Sequence, residues 1–163
     1  MSEYFLINVA SSLTLDQARA VCDGTIAAGR KADLLPLTVA VLDSGANLVH
    51  FQREDGCGTV RGDIAIGKAG AALGMGIPSR TIRDRLKDRP AFQSAIAAAS
   101  DGKFIPVPGG VLILNSAGQA IGAVGVSGDA SDRDEAAAIV GIKVAGLISN
   151  PSEPAENWQN AAL

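Results

Sequence analysis

The chain is poor in aromatic and metal-binding side chains. It has one Trp, one Tyr, four Phe and one His among 163 residues, and aromatics make up only 4%. An interior without large rings must be filled by Ala, Val, Ile and Leu, with glycine letting backbones approach closely. The 47% hydrophobic share supplies enough of them for one core. Cys22 and Cys57 are the only cysteines; they form no Cys-x-x-Cys and stand at no zinc-ligand spacing. They read as buried thiols, which suits a reducing compartment and a cytoplasmic location. No run approaches the ~20 apolar residues that span a bilayer. The opening Met1-Ser2-Glu3-Tyr4 has no basic region of the secretory kind. A basic excess is missing too: the net charge is -3, whereas duplex-binding proteins use cationic side chains to displace counterions. Membranes and nucleic acids are therefore not expected partners.

Several catalytic signatures are also absent. The chain has no Gly-x-Gly-x-x-Gly, no phosphate-binding Gly-x-x-x-x-Gly-Lys-[Ser/Thr] and no His-Glu-x-x-His. Gly125-Val-Ser127-Gly128-Asp129 lacks the last glycine of a nucleophile elbow.

Periodicity supplies the elements that are present. Thr14 and Gln17 have capping-box spacing and start a helix that places Ala18, Val21, Cys22, Thr25, Ile26 and Gly29 on one face, ending near Ala32–Asp33. Residues 37–42 and 48–52 form a hairpin around the turn 43–47. A Gly- and Ala-rich helix over 59–75 is suited to tight packing on a sheet or a partner subunit. Pro78-Ser79 opens a polar segment, and a short helix runs from Phe92 to Ser100. Pro106, Pro108, Gly109 and Gly110 make a rigid turn before a second hairpin, 111–114 and 120–126. Ser131 is expected to cap the last helix, whose apolar stripe reads Val140, Val144, Leu147 and Ile148. The result is a single α/β (α+β) domain over 1–150, an antiparallel sheet flanked by helices. The tail 151–163 is expected to wander or to dock on a neighbour.

Lys68 is the only charged residue between Ile64 and Pro78. A lone ammonium in an apolar helix must snorkel to water, find an anion or lose its proton. Arg61, two turns earlier, shares its face and can join it in gripping an anion. His50, Arg53, Glu54 and Asp55 gather where a strand meets a loop, a frequent place for function. His50 can ligate iron or move protons, but alternation with Phe51 turns it outward or toward an interface. Five basic residues between Arg80 and Arg89 read as a solvated helix face, with Arg80 and Asp84 spaced to pair, or else as a carboxylate dock. Glu135 can act as a base, partner Lys68 or complement the helix dipole.

Five short stretches occur in the order found in one family. Leu15-Asp-Gln-Ala18 is similar to its opening helix, and Val41-Leu-Asp-Ser-Gly45 with Phe51-Gln-Arg-Glu-Asp-Gly56 to its first hairpin. Asp63-Ile-Ala-Ile-Gly-Lys-Ala69, Pro108-Gly-Gly-Val111, and Gly122-Ala-Val-Gly-Val-Ser-Gly128 with Asp134-Glu135 follow. Over residues 13 to 149 the chain resembles the GlcG/haem-binding-protein-S family, which includes the C-terminal domain of PduO-type proteins. The resemblance implies a profilin-like fold, homo-oligomers from dimer to octamer, and a small-molecule ligand, haem among the possibilities. Haem or another carboxylate would then be held by His50, Arg53, Arg61 and Lys68. An enzyme acting on an organic acid would use Lys68, Glu135 and Asp55. One departure stands out: the PduO pattern implies histidine ligation, and the first helix here has no histidine.

Overall fold

In the computed structural model, which describes residues 7–163, the chain folds as five helices around one five-stranded antiparallel sheet. The opening Met1–Tyr4 lies outside the described residues. The order is α1 (Leu15–Lys31), β1 (Thr38–Asp43), β2 (Leu48–Arg53), α2 (Arg61–Met75), α3 (Ser79–Leu86), α4 (Pro90–Ala99), β3 (Gly110–Leu114), β4 (Ala120–Ser127), α5 (Ser131–Val144) and β5 (Ile148–Asn150). The strands lie in the order β2-β1-β4-β3-β5, so each hairpin stays paired and the two hairpins join through β1 and β4.

Alternation divides the strands between two helical layers. Val39, Val41, Val111, Ile113, Val124 and Val126 face α1 and α5. Ala123, Leu112 and Leu42 face α2. Thr14 and Gln17 form the expected capping box, and Ala18, Val21, Cys22, Thr25 and Gly29 are the buried face of α1. The scarcity of rings is met by close backbone approach. A Cβ on Gly125 would fall on the Ala65 carbonyl oxygen of α2, and one on Gly24 would lie 3.1 Å from Gly141 Cα, where α1 crosses α5. The small residues of α2 thus pack on the sheet of their own chain.

Several local expectations are corrected. Ser131 makes no capping bond; the last helix is started by Asp129 and Asp134, whose carboxylates accept from the backbone N–H groups of Ala130 and Asp129. The inward face of α5 is Ala137, Ala138, Ile139 and Ile142, while Val140 and Val144 are exposed. The helix stops at Val144, and Ile148 belongs to a three-residue edge strand too short to show a period. Arg80 does not pair with Asp84, which bonds Arg83 instead. The tail does not wander: Trp158 and Pro154 pack beside α1 and α5, and Lys143 bonds Glu153 at 2.8 Å.

Because Gly125 leaves no room for a side chain, Gly125→Ala is expected to lower the free energy of unfolding by at least ~1–3 kcal/mol, the usual range for overpacking. Urea denaturation monitored by far-ultraviolet circular dichroism measures it.

Candidate functional site

The site begins with Lys68. It does not snorkel: it is 1% exposed. Its Nζ donates to the Val126 carbonyl at 2.8 Å and to Asp134 Oδ2 at 3.0 Å, linking α2 to α5 past the end of β4. The turn before β3 is shaped around this side chain. Gly109 has φ 117, and a Cβ there would lie 2.9 Å from Nζ; a Cβ on Gly110 would overlap the Lys68 carbonyl. Burial pushes the Lys68 ammonium down from its ordinary value, against the pull of Asp134. Burial also pushes the Asp134 carboxyl up to about 6, with Lys68 and the Asp129 N–H opposing. Pairing with Lys68 is one of three roles the sequence leaves open for Glu135, and the structure gives that role to its neighbour Asp134. The two carboxylates are adjacent near the start of one helix, and only the packing of that helix shows which one faces α2.

Glu135 points elsewhere. It is fully buried, and neither of its oxygens accepts a hydrogen bond among the described residues. Arg80 Nη1 lies 3.2 Å from Oε2, close enough for charge attraction but out of line for a hydrogen bond. Arg83 approaches Asp132 at 3.6 Å on the same rim. Burial first, then the negative charge of Asp132, push the Glu135 carboxyl up to about 7, against the pull of Arg80. Ser79 holds Arg80 in place: its hydroxyl accepts from Gly110 N–H at 2.8 Å and donates to Gly110 O, tying the start of α3 to the start of β3. The result is a buried carboxyl able to hold or release a proton near neutral pH, under two arginines that reach solvent.

Arg61 joins the same end of the sheet. Its Nη1 reaches Ser127 Oγ at 3.3 Å, one residue along β4 from the carbonyl that Lys68 bonds. His50, Arg53 and Asp55 are not drawn into this cluster. His50 pairs with Val41 in register and sits half-buried on the α1 side of edge strand β2. Its Nε2 is 3.2 Å from Gln52 Nε2, which also donates to Asp23 of α1. Phe51 is on the α2 side against Gly62, and at 39% exposed it does not mark a buried face. The expectation that His50 turns outward or toward an interface rests on Phe51 marking the buried face, and that premise is corrected: His50 lies on the α1 side, half-buried. Arg53 and Asp55 are exposed and make no side-chain bond among the described residues. The signal for Arg80 as a site residue was present in its basic segment, but its spacing pointed to Asp84.

These features define a three-layered α/β domain, a sheet between two helical layers, with a charged site where α2, α3 and α5 meet one end of the sheet. The sequence pattern of the family described as "Haem degrading protein HbpS-like" matches residues 13–143, and the chain belongs to that family. A structure of a double mutant of Streptomyces reticuli HbpS is 27% identical, covers 85% of this chain and 90% of its own, and superposes with a TM-score of 0.70. The Klebsiella pneumoniae protein ORFY (21% identical, 89% and 98% covered, TM-score 0.75) shares the fold. So does PduOC in its haem complex (19%, 85% and 97%, TM-score 0.74). No curated protein matches by sequence. Among the described residues no helix is long and apolar enough to cross a membrane.

Haem can be tested against these residues. One chain offers a single imidazole, and its Nε2 already faces Gln52. By strand alternation Arg53 lies on the opposite face of β2, the side on which α2 carries Arg61. His50, Arg53 and Arg61 of one chain therefore do not fit as a common grip on one haem.

Removing one member of a buried ion pair strands the other. Lys68→Met is expected to cost roughly 3–5 kcal/mol, and Lys68→Met with Asp134→Asn to recover much of that loss; chemical denaturation of the three proteins checks it. The raised Glu135 pKa means that the native state holds more protons than the unfolded chain between about 4.5 and about 7. Its contribution to stability is therefore full below that window and falls as pH rises through it. Glu135→Gln should remove that part of the slope in a pH series of urea midpoints.

Proposed function

We propose that the protein binds a small carboxylate-bearing molecule, a class that includes both short organic acids and haem through its propionates. The observation that carries this reading is the unbonded, buried carboxyl of Glu135 beneath Arg80 and Arg83. Arginine presents paired donors that match a carboxylate, and a protonated Glu135 can donate one hydrogen bond more. Family membership and relatives whose structures concern HbpS and a haem complex support a small-molecule ligand.

A second reading, an enzyme acting on an organic acid, draws on the Glu135 pKa of about 7. A carboxyl poised there can take and return a proton at neutral pH, with Arg80 holding the substrate and Lys68 and Arg61 supplying positive field behind it. Asp55, exposed on its turn, would need to be covered by substrate or by a second subunit to take part. Self-association is part of the proposal: Leu48 (52% exposed) and Phe51 lie on edge strand β2, and an uncovered edge invites pairing. The proposal also keeps the protein in the cytoplasm, where Cys22 and Cys57 stay reduced; both are free thiols.

The deciding experiment is an absorbance titration with haemin, on wild type and on His50→Ala, beside thermal-shift measurements with a panel of mono- and dicarboxylates. A saturable, shifted Soret band lost in His50→Ala would put His50 at iron. A carboxylate that raises the melting temperature in wild type, but not in Arg80→Ala, would place an organic acid at Glu135. Failure of both haemin and carboxylates to bind would refute the proposal.

A further inference from the structure

A cavity lies between α1, α5 and the C-terminal segment, with a volume of about 470 Å³. It shares no lining residue with the cluster around Glu135. That volume is within the range of small-molecule sites, which are typically apolar with few polar groups. Its space comes from four alanines, Ala28 and Ala32 of α1 and its cap, and Ala136 and Ala137 of α5. Trp158 and Pro154 of the C-terminal segment close one side. That segment is held at Glu153, whose carboxylate takes Lys143 and whose carbonyl accepts from Arg80.

The charged lining consists of Lys31, Lys143 and Glu153. Lys143 and Glu153 satisfy each other at 2.8 Å. Lys31, which is solvent-exposed, has no carboxylate partner among the described residues, so the lining carries one ammonium open to an anion beside an apolar hollow. We infer that this cavity binds a small amphiphilic monoanion, an apolar body bearing one carboxylate, with its tail among the alanines and its carboxylate at Lys31. The apolar part supplies the affinity through burial, and the ammonium supplies the preference for an acid over a neutral molecule of the same shape.

Trp158 is the only tryptophan in the chain, so its fluorescence reports on this cavity directly. The experiment titrates the full chain with decanoate and, separately, with decan-1-ol, below the concentrations at which either self-associates. Saturable change in Trp158 emission with decanoate, tighter than with decanol, is expected. Lys31→Gln should weaken decanoate about two- to fivefold, as for a partly exposed ion pair, and leave decanol unchanged. Ala28→Leu, which fills the hollow at a half-buried position, should abolish both responses while circular dichroism shows the fold retained. Equal affinity for acid and alcohol, indifference to Lys31→Gln, or no saturable response would overturn the inference. So would Trp158 emission that changes with protein concentration alone, since a second copy would then cover the groove.

Discussion

The bond between Lys68 and Asp134 connects the two helical layers across the end of the sheet. A charge pair that excludes water needs hydrogen-bond partners, because an unmatched charge costs several kcal/mol. Here two of the three Nζ protons go to the Val126 carbonyl and Asp134, and the second Asp134 oxygen accepts from Asp129 N–H. Meeting those demands constrains much of the surrounding chain. Glycines 109 and 110 give up side chains to make room, Gly125 lets α2 descend onto β4, and Ser79 ties the turn to α3. The family motifs of the sequence fall largely on these constraints: a lysine in a small-residue helix, a Pro-Gly-Gly turn, a glycine-rich strand and an Asp-Glu pair.

The same geometry divides the labour of the Asp-Glu pair. Consecutive residues on a helix point about 100° apart, so Asp134 turns to Lys68 while Glu135 turns to Arg80. One carboxyl closes a structural link and the other is left without hydrogen bonds, its proton affinity raised by burial. A group that is costly to bury and incompletely satisfied is where binding chemistry is reasonably sought. Arg80 also touches the C-terminal segment at Glu153, so the Glu135 site and the wall of the alanine-lined cavity share one guanidinium.

The scarcity of aromatic residues has a related consequence. A core of Ala, Val and Ile fills space by moving backbones together, as at Gly24 and Gly141 where α1 crosses α5. Beside the C-terminal segment the alanines of the same two helices leave a hollow next to the one tryptophan. Close contact and cavity are thus two results of one composition.

Sequence by itself determined the class of fold, both hairpins, the capped first helix with its buried face, and the family. These depend on local period, turn chemistry and short ordered motifs, which survive without knowledge of distant contacts. It also singled out Lys68, because a charge within an apolar helix is conspicuous, and Glu135, because it belongs to the acidic opening of the last helix and to the Asp-Glu motif. It did not reveal which anion Lys68 meets, that Arg80 bends to Glu135 and not to Asp84, or that His50 lies on the α1 side of an edge strand. Nor did it show that the tail folds back on its own chain, or that the inward face of α5 is Ala137, Ala138, Ile139 and Ile142. Those features were decided by tertiary structure, for a physical reason: pairing in a low-dielectric interior depends on which helix faces which across the sheet, and residues 66 positions apart, as Lys68 and Asp134 are, carry no local sign that they will meet.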